Sequence, residues 1–360
     1  MGLQQQGDLA AAKETYKAAL DAFRRTGNKD AMARALNNLA TLFEAEGNLV
    51  EAKKTYQASL GICREIGNEG LAAMPLGNIA TIFHAEGDLN AAKQAYEESL
   101  RIHREVGDRR SAAMDLSNLG TLAHAQGNLS GEKETHEESL RIYREIGNKL
   151  GMAQVLGNIA GLLADQGNLS AARNRAEESL AIYRELGSRT GISDDLLRLG
   201  LVSLEEDRLV EAEASARQAA QEYSAEKASD DEASALSILA LSLLGQRRFV
   251  DAQNTIDRAT MLSEKSDNRE VRLSVAIVAA RVRAAMGKPA EAMKSLANVL
   301  AEATKLGLVG LQFESRLALG ETEMKSGKTA AGRARLETLQ KEAKAKGFGL
   351  IARKAAAARE

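Results

Sequence analysis

NLATLFEAEGNLVEAKKTYQASLGICREIGN, residues Asn38–Asn68, decides the fold, because nearly the same stretch returns at Asn78–Asp108, Asn118–Asn148 and Asn158–Ser188. Weaker copies fill the rest of the 360 residues. Working outward, a turn glycine recurs at Gly7, Gly47, Gly87, Gly127, Gly167, Gly287 and Gly327, with Asp207 and Arg247 in the two missing places. A second series runs through Gly27, Gly67, Gly107, Gly147, Gly187, Gly307 and Gly347, with Lys227 and Asp267 as its gaps. The period is forty residues and no insertion breaks it. Fixed self-similarity of this kind signals a solenoid, in which each unit packs mainly on its neighbours.

The two glycine series cut each unit into two helical halves, helix A over about 30–46 and helix B over about 49–66 in the first full unit. Helix A carries a small residue at Ala40, Ala80, Gly120, Ala160, Gly200, Ala240, Ala280 and Gly320. Helix B carries one at Ala12, Ala52, Ala92, Ala172, Ala212, Ala252, Ala292 and Gly332. Small side chains at matched places let two helices approach toward the short end of the usual ~8–10 Å range. Two prolines in 360 residues suit an all-α chain. Pro289 falls in a first helical turn and is harmless there, whereas Pro75 falls inside a helix A and should kink or delay it. Glu132 stands where a small residue is expected and predicts loose packing in that unit. Over about 205–270 all four turn glycines are replaced, which predicts the least regular turns and a candidate hinge.

The pattern Leu36-x2-Leu39-Ala40-x2-Phe43-x3-Gly47-x4-Ala52-x3-Tyr56 resembles the tetratricopeptide repeat signature. A forty-residue unit with the triplets Leu76-Gly77-Asn78 and Leu156-Gly157-Asn158 resembles the long-helix branch of that family, which includes kinesin light chain, Leu-Gly-Asn-repeat scaffolds and bacterial regulator arms. The resemblance implies an all-α, right-handed superhelical solenoid. The expected divisions are an incomplete first repeat holding helix B only (1–27), a regular array (28–226), a divergent array (227–346) and a C-terminal capping helix (347–360). Residues 1–6 read as the tail of a missing helix, with Gly7 in the turn after it.

The resemblance also implies that Asn38, Asn78, Asn118 and Asn158 face a concave groove lined by A helices. A side-chain amide there offers both donors and acceptors to a ligand backbone. With helices about 10 Å apart and an extended ligand advancing about 3.3–3.6 Å per residue, each Asn would meet about every third ligand residue. Thr41, Thr81 and Thr121 follow one turn later, and Glu44, His84 and His124 another turn on. The alternative is that the amides bond within and between repeats. The ladder then stops, with Arg198, Ile238, Val278 and Ala318 in its place. The later groove is apolar, with Leu197, Leu201, Ile238 and Leu241, and could take an amphipathic helix or be filled by the array's own curvature.

The remaining classes are weighed down by composition. Lys plus Arg (48) nearly balances Asp plus Glu (50), which disfavours a nucleic-acid partner. No apolar run reaches the ~18 residues of a membrane span. The lone Cys63 forbids an intrachain disulfide and fits a reducing, cytoplasmic setting. His84 and His124 lie on different repeats, about 10 Å apart, too far for one metal, so neither metal nor cofactor is expected. Ser326-Gly327-Lys328-Thr329 imitates a phosphate loop, but Thr322 stands where that motif needs glycine and a helix precedes it. No nucleophile and base gather, so the chain reads as a non-enzymatic scaffold. Its expected partner is a protein or peptide segment, in a bacterial regulatory setting. The rival reading is self-association through the unpaired first helix.

Overall fold

The turn Gly-Asn that closes one helix and opens the next explains the element order. In the computed structural model, which describes residues 2–360 with side chains from Leu9 onward, the glycines of both series from Gly27 onward adopt positive φ. The residue after each then caps the following helix. Asn28, Asn48, Asn68, Asn128, Asn148 and Asn168 each accept a backbone N–H three residues on, and Asp88 and Ser188 do the same. Each such cap is worth about 1 kcal/mol.

The chain folds as two compact units, Met1–Leu122 and Ala123–Glu360. Unit 1 holds α1 (Gly2–Thr26), α2 (Lys29–Ala45), α3 (Leu49–Glu65), α4 (Glu69–Ala85), α5 (Leu89–Glu105) and most of α6 (Arg109–Ala125). Unit 2 takes the last turn of α6, then α7 (Leu129–Glu145), α8 (Lys149–Asp165), α9 (Leu169–Leu186), α10 (Arg189–Glu205), α11 (Leu209–Glu226) and α12 (Ser229–Gly245). It continues with α13 (Phe249–Ser263), α14 (Arg269–Ala285), α15 (Pro289–Leu306), α16 (Val309–Lys325), α17 (Thr329–Ala345) and α18 (Gly349–Ala357). Among the described residues there is no strand, and the fold is an all-α solenoid of helix-turn-helix repeats. Among the described residues no helix is long and apolar enough to cross a membrane.

A helices pack on their own B helices (α2 on α3, α4 on α5, α8 on α9, α10 on α11, α12 on α13, α14 on α15 and α16 on α17) and on the A helix of the next repeat: α2 on α4 in unit 1, and α8, α10, α12, α14, α16 in series in unit 2. The A helices of unit 2 from α8 to α16 therefore lie side by side. The A–B seam is closed by the small residues: Ala40, Ala52, Ala80, Ala92, Ala172, Ala240 and Ala252 are all fully buried. At the closest seam the Cβ itself is dispensed with, since one added to Gly332 would lie 3.0 Å from the Gly320 carbonyl oxygen. Serines tie the B helix to the A helix within a repeat: Ser59, Ser99 and Ser179 donate to the carbonyls of Ala33, Ala73 and Ala153 at 2.7, 3.0 and 2.8 Å.

Several sequence expectations are corrected. No turn forms at Gly7, because α1 is continuous from Gly2. Pro75 is buried inside α4 without delaying it; α4 has the same 17 residues as α2. The turns over 205–270 mostly keep the regular geometry, since Asp207, Lys227 and Arg247 adopt φ of 61°, 61° and 60°. Only the Asp267 gap departs: α13 stops at Ser263, and Asn268 restarts the chain from extended backbone at φ −75°, ψ 106°.

Unit 2 closes on itself through its last helix. Phe348, at the start of α18, is buried with Leu129, Leu162, Phe313, Leu317 and Leu336. Arg353 donates to the Gly167 carbonyl at 2.9 Å, and the Lys354 ammonium meets both Glu205 carboxylate oxygens at 2.7 and 3.0 Å. Gly349 makes this approach feasible, because a Cβ there would collide with the Gln166 carbonyl at the end of α8.

Candidate functional site

In unit 1, residues spaced four and three apart on one A helix share a face, and this places Arg34, Asn38 and Thr41 together on α2. Met74, Asn78 and Thr81 repeat the arrangement on α4, and Met114, Asn118 and Thr121 on α6. The three threonines and Asn38 are exposed, and Asn78 and Asn118 are half-buried. Met74 and Met114 are 49% and 48% exposed, among the large apolar side chains that the core does not take. A small cleft of about 130 Å³ opens between α2 and α4, lined in part by Arg34, Asn37, Asn38, Met74 and Pro75.

The polar groups of this face are partly tied down. Asn78 donates its amide to Asn37 of the preceding repeat at 3.2 Å. The Thr41 and Thr81 hydroxyls lie 3.1 and 2.9 Å from the hydroxyls of buried Tyr56 and Tyr96. Thr121 bonds back to the Ser117 carbonyl at 3.3 Å. Tyr56 in turn donates to Glu44 at 2.8 Å. Burial raises the Glu44 pKa, and the Tyr56 hydrogen bond opposes the rise. His84 is half-buried at the end of α4. In unit 2, Asn158 accepts from Arg198 at 3.5 Å, and Arg198 also meets buried Asp195 at 3.0 Å. The amides thus serve repeat-to-repeat bonding at Asn78 and Asn158 and leave Asn38 most open.

His124, expected among the groove residues, belongs to a different arrangement. In unit 2 its Nδ1 lies 3.1 Å from Glu132 and 3.5 Å from Asp165. Glu132, far from marking an empty seam, is buried with its other oxygen 3.9 Å from fully buried His136. These groups adjoin a chamber of about 240 Å³ inside unit 2. His124, Asp165, Glu270, Ser274 and Glu314 form its polar wall, and Leu308, Leu311, Phe348 and Ile351 its apolar one. The His124 and Asp165 side chains keep 37% and 30% of their surface accessible. Both side chains are half-buried at the edge of the chamber.

The chamber's electrostatics follow. Burial by itself would lower the His124 pKa, but the Glu132 hydrogen bond and the charge of Asp165 carry it up to about 9. Burial raises Asp165 to about 7, with His124 opposing and Glu132 and Glu314 adding. Glu314 is also raised, first by burial, against the pull of Arg281 and Lys354. His136 goes the other way, lowered to about 4 by burial and by the neighbouring His124 charge. The apolar later groove of the sequence reading is thus interrupted by charge where α18 closes it.

One further cluster imitates catalytic machinery in unit 1. Ser99, His103 and Asp115 are mutually bonded, with Ser99 Oγ 2.8 Å from Asp115 and His103 Nδ1 2.8 Å from the same oxygen. All three are buried, and the serine hydroxyl lies between the Asp115 carboxylate at 2.8 Å, the Ala73 carbonyl at 3.0 Å and His103 Nδ1 at 3.4 Å. A nucleophile needs a base within reach of its proton and access to substrate, so this trio binds α5 to α6. Among the described residues no group of three His, Cys, Asp or Glu could hold a metal ion.

The sequence reading missed the chamber, though departures from the period mark it. Where other A helices begin with Lys29, Glu69, Arg109, Lys149, Arg189, Ser229 and Arg269, the last two begin with Val309 and Gly349. Where Asn, Asp or Ser commonly caps, Leu308 and Phe348 stand instead, and both are buried.

The model of the MalT-like TPR region matches residues 68–348, and a tetratricopeptide repeat model matches residues 1–65. No curated protein matches the chain. Among solved structures, the apo form of RapI is similar at 16% identity and a TM-score of 0.57, over 75% of this chain and 97% of that one. BtubC (BKLC) from P. vanneervenii is similar at 20% identity and a TM-score of 0.50, over 61% of this chain and 92% of that one. A Pyrococcus horikoshii signal transduction ATPase with numerous domains, which carries a tetratricopeptide repeat sensor, is similar at 15% identity and a TM-score of 0.53. That match covers 92% of this chain and 52% of the ATPase. Likeness at these identities concerns the fold alone.

Proposed function

The chain belongs to the MalT-like tetratricopeptide repeat family, and from that premise we propose that it binds a protein or peptide segment along the A-helix face of unit 1, as an interaction or sensory arm of a regulatory system. Tetratricopeptide repeats generally mediate protein interactions, and such families are typically non-enzymatic scaffolds. The observation that carries the reading is the pairing of exposed Met74 and Met114 with Asn78 and Asn118, one turn away on the same faces. Methionine adapts to irregular apolar partners, and a neighbouring amide can fix a ligand backbone. The STAND relative's sensor domain supports the sensory setting by analogy of fold.

The test is capture from host lysate with wild type beside an Asn38→Ala, Asn78→Ala, Asn118→Ala variant of matched helicity and melting behaviour. Each lost hydrogen bond costs about 1 kcal/mol, so the triple variant should hold its partner roughly 100-fold more weakly. Asn158→Ala serves as a comparison and should matter less to the partner, because Asn158 lies in unit 2, outside the proposed face. Unchanged capture by the triple variant would return the ladder to a structural role. Self-association is the second reading, favoured by Val210, Phe249 and Val250, which are exposed at the starts of α11 and α13. Concentration-dependent light scattering, abolished by Val210→Ser with Val250→Ser, would support it.

A further inference from the structure

The edge of unit 2 that carries the turns from A to B helices changes sign along its length. The turns at 125–130, 165–170 and 205–210 hold four carboxylates, Asp165, Glu205, Glu206 and Asp207, against the single cation Arg208. The turns at 245–250, 285–290 and 325–330 hold five cations, Arg247, Arg248, Lys288, Lys325 and Lys328, and no carboxylate. These last three turns form a row, because α12, α14 and α16 pack side by side, about 10 Å apart. All five cations are exposed. Arg248 is held by Glu213 at 3.0 Å and by Asp251 at 2.8 Å. Glu291, just behind the second turn, lies 3.9 Å from Arg283. Arg247, Lys288, Lys325 and Lys328 have no carboxylate partner among the described residues.

Local stability does not call for these cations. Arg247 takes a φ of 60°, a conformation in which glycine is at ease. Lys288 and Lys328 stand where Asn128 and Asn168 cap earlier B helices of the unit. Helices α15 and α17 receive no side-chain cap, and the positive end of a helix disfavours a cation. Three cations therefore occupy places where glycine or asparagine would hold the fold better. Apolar side chains stand among them: Phe249, Val250 and Met286 are 39%, 66% and 42% exposed. Cations beside exposed apolar groups match the surface of an anionic bilayer, where headgroup phosphates meet the cations and the acyl boundary takes the apolar tips. A nucleic acid would use the cations through its phosphates and leave Val250 and Met286 in water. A second copy docked by the same edge would set like charges together. We propose that the turns at 245–250, 285–290 and 325–330 dock unit 2 on an anionic lipid surface, a peripheral contact that needs no membrane-spanning helix. This edge shares no residue with the A-helix face proposed for unit 1.

The experiment uses the full chain and unilamellar vesicles, either equimolar phosphatidylglycerol and phosphatidylcholine or phosphatidylcholine alone, with binding read by flotation at low and high salt. The chain should float with the anionic vesicles at low salt, less so at high salt, and not with phosphatidylcholine alone. Each basic residue at an anionic surface is worth about fivefold in affinity. Arg247→Gly with Lys288→Asn and Lys328→Asn restores the glycine or asparagine of earlier turns. This triple variant should bind about 100-fold more weakly and melt no lower than wild type. Lys305→Asn with Lys344→Asn and Lys346→Asn removes the same charge from exposed places at the opposite ends of α15 and α17, and should bind as wild type does. Val250→Ser with Met286→Ser keeps the charge and should bind severalfold more weakly at both salt concentrations. Absence of flotation, equal flotation with phosphatidylcholine alone, or equal loss in the two triple variants would overturn the proposal. So would duplex DNA held by these cations while vesicles stay unbound, or self-association that Val250→Ser with Met286→Ser abolishes while vesicles stay unbound.

Discussion

Glu132 shows how one residue redirects a repeat. Its register calls for alanine or glycine, and its carboxylate instead faces His124 and His136 from a buried position. Removing one member of a buried charged pair usually costs about 3–5 kcal/mol. His124 keeps contact with water, so Glu132→Ala should cost less, about 2–3 kcal/mol after that discount. The midpoint of urea unfolding checks this, and an unchanged midpoint would reduce the cluster to an incidental contact. The same residues set the pH dependence. Asp165 has a folded pKa of about 7, above its ordinary carboxylate value, so the folded state holds that proton more tightly than the unfolded one. Its contribution to stability is full at low pH and is lost as pH rises through about 7. His124, raised to about 9, is stabilising below its ordinary imidazole value and loses that contribution as pH rises through 9. His136, lowered to about 4, loses its contribution as pH falls through 4. Between about pH 5 and pH 6.5 the Asp165 and His136 slopes oppose each other, so the melting temperature should decline mainly from about pH 6.5 to pH 9 as His124 loses its proton, and Asp165→Asn should turn the level stretch below about pH 6.5 into a rise with pH.

At the scale of elements, the glycine-then-cap turn does most of the organising, and it tolerates loss of either half. Lys227 and Arg247 take the left-handed conformation without being glycine, at a cost of roughly 1–2 kcal/mol each. The flanking helices impose the geometry, because A and B must still meet along their small residues. Lys227→Gly or Arg247→Gly should therefore stabilise the chain, by about 0.5–1 kcal/mol after the entropy of glycine is counted. A rise in the thermal midpoint would show it, and a fall would mean that these side chains make contacts worth more than the strain. Helix existence, the turn positions from Gly27 onward and the A–B seam were legible in the sequence, since each is local and is restated every forty residues. The irregularity expected of the glycine-poor turns is confined to the Asp267 gap, since Asp207, Lys227 and Arg247 keep the left-handed turn geometry. Turn chemistry there is overruled by the packing of α10 through α13. Pro75 misled for the same reason: burial of α4 on both sides outweighs one lost hydrogen bond.

Each unit, taken as a whole, contains what periodicity does not state. The closure of unit 2 joins Arg353 to Gly167 and Lys354 to Glu205 across spans of 186 and 149 residues. No repeat pattern encodes such a pairing. Its trace in the sequence lies only in exceptions, Val309 and Gly349 at starts usually charged, and Leu308 and Phe348 at positions usually polar. Gly349→Leu should break the closure through collision with the Gln166 carbonyl, costing about 1–3 kcal/mol as overpacking does. Faster amide exchange should follow in α18 and at the end of α8, with unit 1 unaffected. Exchange that stays slow in α18 would show that its packing on α17 suffices.

The candidate binding face was only partly legible. The asparagine row is visible in the sequence, but its division into an open Asn38 and engaged Asn78 and Asn158 depends on partners from neighbouring repeats. The most direct test of the central claim is site-specific photo-crosslinking in host cells. A crosslinking residue replaces Asn38, Asn78 or Asn118 on the A-helix face, or Lys54 or Glu97 on B helices. The account predicts one shared adduct at the three A-helix positions and none at Lys54 or Glu97. Equal adducts at both sets, or an adduct at Lys54 and Glu97 only, would contradict binding along the A-helix face of unit 1.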